Sequence, residues 1–301
     1  MKTITLQDYK QRLLPVLVHI QQRLDEPLSL DDLAALAHFS PYHFHRVFRG
    51  MVGESLQEHI RRLRLERAAA RLKGSRQPVT EIAFDAGYES HEAFTRAFNT
   101  AFGMSPSRFR VLKQPRWPAA AGPAPSGVHY REGKPPTHFK TMKPDPKKET
   151  ITIQSFPPRR VAFVRHVGPY AGCGQAWEKL CACLGKGGLL GAGSLFIGLC
   201  HDDPEVTPPA RVRYDACVTL DGPFEPHGEV GVQTIAGGDY AVTTHFGPYE
   251  RLSQTYARVS GQWLPRSGRE LGDGPSVEVY LNDPTSTAPE DLITDVHVPL
   301  K

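Results

Sequence analysis

Residues 29–72 read SLDDLAALAHFSPYHFHRVFRGMVGESLQEHIRRLRLERAAARL, and residues 79–110 read VTEIAFDAGYESHEAFTRAFNTAFGMSPSRFR. In the first stretch Leu30, Leu33, Ala34 and Ala37 have helical spacing behind Ser29, a suitable N-cap. His38-Phe39 forms a short turn, and Ser40-Pro41 restarts the chain as N-cap and first helical residue. In the new helix Phe44, Val47, Phe48 and Met51 share one face, which leaves Tyr42, His45, Arg46 and Arg49 on the opposite one. The second stretch repeats the pattern. Ile82, Ala83 and Ala86 belong to its first helix and Gly87-Tyr88 to its turn. Phe94, Ala97, Phe98 and Ala101 face inward, with Glu92, Thr95, Arg96 and Asn99 outward. Ser40/Ser90, Phe44/Phe94, Arg46/Arg96, Phe48/Phe98, Gly53/Gly103 and Ser55/Ser105 match at a single offset, so the unit is duplicated.

Two amphipathic helices around a turn occur in many proteins that never meet DNA. Here each copy adds an outward arginine flanked by side chains able to hydrogen-bond to base edges. Between the copies, Leu56 to Lys73 reads as one helix ending near Gly74. Eighteen residues span roughly 27 Å, enough to hold two recognition helices near one turn of duplex apart, about 34 Å. The run Arg61-Arg62-x-Arg64 either meets phosphate or forms a solvated helix face.

The two quoted stretches resemble the AraC/XylS family of transcription regulators over roughly residues 6–112, most specifically in the pattern G-Y-x-S-x-x-x-F-x-R-x-F from Gly87. The resemblance implies that Tyr42, His45 and Arg46 read bases from the first recognition helix, and His91, Glu92, Thr95 and Arg96 from the second. It also implies that Arg61 touches backbone phosphate. Glu92 suits such a role only opposite a cytosine amino group. Pro15, inside the first helix that the resemblance implies, is expected to kink or shorten it.

The rest of the chain divides around a proline-rich stretch. Residues 114–149 hold eight prolines, from Pro115 to Pro146, and read as a semi-rigid tether between residues 1–113 and 150–301. Lys and Arg outnumber Asp and Glu by 17 to 12 before the tether, but fall short by 12 to 17 after it. Only the front is therefore suited to a polyanion such as double-stranded DNA. Five cysteines between Cys173 and Cys217 make neither a secreted disulfide framework nor a metal site, and are expected to be ordinary buried thiols. No apolar run suggests a membrane span or signal peptide, so a cytoplasmic protein without membrane partners is expected.

The back half is duplicated too. Arg160-Val-Ala-Phe-Val-Arg-His-Val-Gly-Pro-Tyr170 recurs as Asp239-Tyr-Ala-Val-Thr-Thr-His-Phe-Gly-Pro-Tyr249, offset by 79. Each copy continues into a helical stretch, to about Leu184 and Leu264. Strand pairs follow, Leu195–His201 with Arg213–Leu220 and Val277–Asn282 with Thr294–Leu300. Asp215, Val218 and Leu220 match Asp295, Val298 and Leu300 at an offset of 80. The unit is strand–helix–strand–strand used twice, an α+β domain with a cleft where the copies meet. Alternation along Ser276–Asn282 places Glu278 and Tyr280 on one face, where the first copy has Gly198 and Cys200. Such an acid either marks a site or simply meets water.

His-x-Gly-Pro-Tyr after a strand, with Val-Glu-Val-Tyr-Leu-Asn-Asp-Pro near the end, is similar to the GyrI-like effector-binding domains over about residues 150–301. That resemblance implies a cleft for a small-molecule effector, often a lipophilic cation. Glu278 would supply the charge and Tyr280 a wall, with Tyr170, Tyr249, Trp177 and Trp263 as further rings. Tyr170 and Tyr249 serve equally well as caps of their turns. The whole reads as a multidomain regulator without cofactor or catalytic residue: an all-α double helix-turn-helix domain followed by a duplicated α+β domain. RNA polymerase is a candidate partner. The alternatives are a hydrolase using Glu278 as general base beside a tyrosine, and a protein-docking module.

Overall fold

In a computed structural model that describes residues 5–112, 124–144 and 150–301, the chain divides into a helical unit, Leu6–Lys143, and an α+β unit from Pro144 to Lys301. The helical unit has seven helices among its described residues: α1 (Leu6–Gln22), α2 (Leu30–Leu36), α3 (Pro41–Val52), α4 (Leu56–Gly74), α5 (Val79–Asp85), α6 (His91–Phe102) and α7 (Pro106–Val111).

The duplicated serines and glycines turn out to be helix punctuation. The hydroxyls of Ser40 and Ser90 accept from the backbone N–H groups of His43 and Ala93, starting α3 and α6. Gly53 and Gly103 end the same helices at φ of 87° and 71°, left-handed values that side chains disfavour. Ser55 and Glu58 close a reciprocal capping box at the start of α4. Phe44, Val47, Phe48 and Met51 are buried as expected from the periodicity. Phe94 and Phe98 join Leu65, Ile82, Phe102 and Phe109 in the second core. Pro15 does not cut α1 short: the helix runs on through it for 17 residues. Pro15 is exposed, while Leu13, Val16, Leu17 and Ile20 are fully buried, so packing on the opposite face holds the helix across it.

The proline-rich stretch is not a free tether throughout. Residues 113–123 and 145–149 lie outside the described residues, but 124–143 pack onto the helical unit. Val128 and Phe139 are buried. The backbone N–H of Met142 donates to Met51 O at 2.9 Å, and Gln21 Nε2 donates to the carbonyls of Arg131 and Lys134. Gly53 admits the segment: a Cβ there would lie 2.6 Å from Pro125 Cβ and 2.7 Å from Met142 Sδ. Composition identified the prolines that forbid regular structure, but extended chain can still pack on a helical surface.

At the centre of this seam Glu66, fully buried on α4, accepts from Arg62 Nη1 (2.9 Å), from the backbone N–H of Tyr130 (2.6 Å) and from the His129 ring (2.9 Å). Arg62 also donates to Glu54 through Nε (3.0 Å) and Nη2 (2.6 Å), and to the carbonyl of Val128. The arginines of α4 are thus mostly internal ties. Arg64 donates to Leu24 O, Arg67 pairs with Asp25 and Asp85 O, and Arg71 pairs with Asp85. Arg61 alone of the Arg61–Arg64 run stays exposed.

The α+β unit is built on one eight-stranded antiparallel sheet with the order β1-β6-β8-β7-β3-β4-β2-β5. Its strands are β1 (Thr152–Phe156), β2 (Arg159–Val167), β3 (Phe196–Cys200), β4 (Arg213–Thr219), β5 (Gly231–Ile235), β6 (Gly238–Phe246), β7 (Ser276–Tyr280) and β8 (Ile293–Pro299). Helix α8 (Gly174–Lys186) packs on the first copy. In the second copy α9 (Leu252–Ala257) passes through a π-helical turn, Arg258–Trp263, into α10 (Leu264–Ser267). The two copies abut at β3 and β7, where Gly198 pairs with Glu278. Two further strands, β1 and β5, extend the expected unit, and they are exchanged: β1 pairs with β6 of the second copy and β5 with β2 of the first. Each copy therefore completes the sheet edge of the other. Of the five free thiols only Cys200 and Cys217 are buried, while Cys173, Cys181 and Cys183 are half-buried. Among the described residues no helix is long and apolar enough to cross a membrane.

Candidate functional site

Two regions carry chemistry, one in each unit. In the helical unit the two recognition helices differ. On α6, Glu92 and Arg96 are exposed and His91 and Thr95 half-exposed, with the Thr95 hydroxyl itself buried and unpartnered among the described residues. On α3, Tyr42 is half-exposed, but His45 and Arg46 retain only 4% and 5% exposure. This corrects the expected outward face of α3. The Arg46 guanidinium carbon lies 4.1 Å from the centroid of the Tyr42 ring, a cation–π stack. Helical periodicity assigns the face that meets the helix's own core and is silent on what covers the other one. Arg61 is exposed on α4, the 19-residue helix that joins the two copies.

In the α+β unit Glu278 sits on the helix-covered face of the sheet with 5% exposure. Tyr256 Oη, from α9, donates to Glu278 Oε1 at 2.8 Å, and Tyr280 Oη donates to Oε2 at 2.8 Å. The Tyr280 oxygen lies 2.9 Å from Tyr214 Oη, and Trp177 Nε1 of α8 donates to Tyr214 Oη at 3.1 Å. With the Tyr280 proton committed to the carboxylate, Tyr214 is the donor of that pair. The four donors therefore run toward Glu278, two of them directly and two through Tyr280, and both helices are tied to one carboxylate through four rings. Burial, with the Glu278 charge adding to it, pushes the Tyr280 hydroxyl well above the ordinary tyrosine range. Burial does the same for Tyr214, and it takes Tyr249 up to about 12. These hydroxyls stay protonated, and those of Tyr280 and Tyr214 serve as donors.

The remaining expected rings fall into place unevenly. Trp177 and Tyr249 stand 5.8 and 5.5 Å from Tyr280, edge to face, and Tyr170 lies 5.5 Å from Tyr214. Trp263 packs against the apolar cluster of Leu252, Tyr256, Val259, Val296 and Val298 beside α9. The histidines of the two Gly-Pro-Tyr turns brace the turns themselves: His166 and His245 Nε2 lie 2.9 and 3.2 Å from the carbonyls of Pro169 and Pro248. Tyr256 and Tyr214 escaped the sequence reading. The repeat carried a signal for the first, because the offset of 79 maps Tyr256 onto Trp177. Tyr214 maps at 80 onto Thr294, a residue of another kind, and only the sheet brings it to Tyr280.

Gly198 makes the arrangement sterically feasible. A Cβ there would lie 2.5 Å from Tyr280 Oη and 2.8 Å from Tyr214 Oη, so the two hydroxyls meet across a bare Cα. Gly198→Ala is expected to part them, lower stability by about 1–3 kcal/mol and alter Trp177 emission. Thermal unfolding and fluorescence check this; unchanged melting with unchanged emission would show that the hydroxyls do not rely on that gap.

Comparison with known proteins places both units. Residues 149–301 match the GyrI-like small molecule binding domain and residues 33–111 a helix-turn-helix domain. The chain belongs to the AraC/XylS-type regulators that carry a C-terminal GyrI-like domain. Along 299 residues it is 26% identical to the Right origin-binding protein of Escherichia coli K12, covering 95% of this chain and 96% of that one. It is also 35% identical over 101 residues to the Regulatory protein SoxS of Salmonella typhimurium, covering 33% of this chain and 94% of SoxS. Among solved structures, the crystal structure of the EcmrR C-terminal domain aligns with 51% of this chain and 98% of that one, at 19% identity and a TM-score of 0.43. The protein is thus a DNA-binding transcription regulator with a small-molecule-binding domain.

Proposed function

We propose that this regulator grips two successive major-groove segments with α3 and α6, and that a lipophilic cation held at Glu278 sets the strength of that grip. The observation that carries the first part is the pair of identically capped helices joined by α4, which at 19 residues spans about 28 Å. Arg96 reads bases from α6 directly, with His91, Glu92 and Thr95 beside it. On α3 Arg46 reaches bases only by leaving its stack on Tyr42, with His45 moving alongside. Arg61 meets phosphate. RNA polymerase is a further partner on this reading, and the cytoplasm the compartment. The second part is supported by the Glu278 carboxylate lying among aromatic rings, the surroundings in which a cation with apolar surface gains most.

Binding to a selected duplex should weaken steeply with salt. Arg96→Ala is expected to cost about 1–3 kcal/mol at the cognate site and to relax specificity at one half of it, with Arg46→Ala acting on the other half. Arg61→Ala should weaken all duplexes alike. Competition binding measures both effects, and the docking scheme fails if Arg96→Ala leaves discrimination intact. For the ligand, tetraphenylphosphonium should shift the affinity for the duplex, since coupling requires different ligand affinity in the two states. An unmoved affinity with the cation bound would remove the regulatory link.

The hydrolytic alternative would use Glu278 as base. Both of its oxygens already accept tyrosine protons, and Tyr280 is held as a donor. The geometry favours binding.

A further inference from the structure

The two copies of the α+β unit share a scaffold, yet their helix–sheet interfaces differ in polarity. On the face of the sheet that bears Glu278, Val296 pairs with Glu278 on one side and Thr243 on the other, while Thr294 lies between Tyr280 and His245. Thr243 and Thr294 are buried, and neither hydroxyl has a hydrogen-bond partner among the described residues. Ser260, one turn beyond Tyr256 in the π-helical segment, is likewise buried with a hydroxyl unpartnered among the described residues. The equivalent positions of the first copy are Val164 for Thr243, Cys181 for Ser260 and Tyr214 for Thr294, and the Tyr214 hydroxyl is satisfied twice. A buried hydroxyl left without a partner forfeits the hydrogen bonds that water gave it. All three belong to the copy that carries the acid, two on the sheet face and one on the helix that covers it, which is widened by a π turn, a form that recurs at functional sites.

We propose that these hydroxyls form a polar extension of the Glu278 site. Its ligand is a protonated amine that carries a hydrogen-bonding group such as a hydroxyl or amide, rather than a wholly apolar cation. The inference rests on Glu278 as the cation site. Its length follows from the register: Thr243 is two strands from Glu278, about 10 Å away. Chemistry at the far end matches, because Arg258 donates to Thr255 Oγ1 at 2.8 Å beside His245. A cationic side chain there suits an oxygen of the ligand and repels a second positive charge. The ammonium end is thereby oriented toward Glu278.

The experiment is calorimetric titration of the full chain with two probes. Procainamide carries an ammonium at one end with amide and amino groups beyond, whereas tetraphenylphosphonium has no hydrogen-bonding group. The Thr243→Val, Thr294→Val and Ser260→Ala variants remove unpartnered hydroxyls almost isosterically, so their melting temperatures should hold or rise. Combined, the two valine substitutions should weaken procainamide about tenfold while leaving tetraphenylphosphonium unchanged, and Ser260→Ala should act in the same direction. Equal effects on both probes, or none on procainamide, overturn the proposal. Glu278→Gln separates the two levels. If it weakens both probes while the hydroxyl variants do nothing, the cation site stands and its extension falls. If Glu278→Gln changes neither probe, or if the wild type binds neither, the site and its extension fall together.

Discussion

Glu278→Gln is expected to weaken the binding of tetraphenylphosphonium by about two to four orders of magnitude. The substitution keeps the size of the side chain and an acceptor for one tyrosine, but removes the carboxylate charge that lies directly among the rings. Carboxylate and cation are both desolvated in the complex, and losing one of such a pair costs about 3–5 kcal/mol. An amide also has a donor end, which would confront the hydroxyl of Tyr256 or Tyr280, both of which now donate. Tyr256→Phe is the informative companion. It leaves the charge in place and removes one donor, so affinity should change far less than in the glutamine variant. Titration of the full chain measures both, and an affinity change below about threefold for Glu278→Gln would take that residue out of the site.

The second large effect concerns stability. Glu66→Ala strips three donors of their acceptor at the seam between α4 and residues 124–143. It leaves Arg62, 8% exposed, with half of its ionic partners. A loss of about 3–5 kcal/mol is expected, which for a domain of this size lowers the melting temperature of the helical unit by roughly 10–20 °C. Calorimetry on the full chain resolves that transition, and a shift of only a degree or two would show that the seam contributes little. The same network gives the unit a pH dependence. Burial alone would raise Glu54, but hydrogen bonds from His59 and Arg62 outweigh it and bring the carboxyl from 4.5 to about 2. Burial lowers His59 below its ordinary 6.5 despite the adjacent Glu54. Both groups bind protons less readily when folded than when unfolded. Their contribution is therefore complete at neutral pH, begins to fall near pH 6.5 with His59, and is lost further between about pH 4.5 and 2 with Glu54.

Much of this was legible in the residues. Ser40, Ser90, Ser55, Gly53 and Gly103 are cap residues whose roles follow from local geometry, and the phenylalanine periodicity of α3 and α6 names the cores they fill. In the back half the 79- and 80-residue offsets announced the repeat, and strand alternation placed Glu278 and Tyr280 on one face. Tyr256 could have been found by carrying Trp177 across the offset. The edge strands β1 and β5 were missed because their pairing is with the other copy, over 68 to 90 residues of chain. Four residues of β1 are exposed, so its burial leaves little pattern to read.

By itself, then, the chain's order of residues determined local matters: where helices start and stop, which of their faces is apolar, and that each half is a duplication. Those depend on interactions within a turn or two of backbone, or on similarity at a fixed spacing. Tertiary structure decided what meets what across long separations. It buried Arg46 and His45, folded a proline-rich segment onto α4 around Glu66, and drew Trp177, Tyr214, Tyr256 and Tyr280 to a single carboxylate over the bare Cα of Gly198. The reason is physical. Burial and hydrogen-bond partnership belong to pairs of surfaces, and one segment's pattern specifies only its own side of the pair.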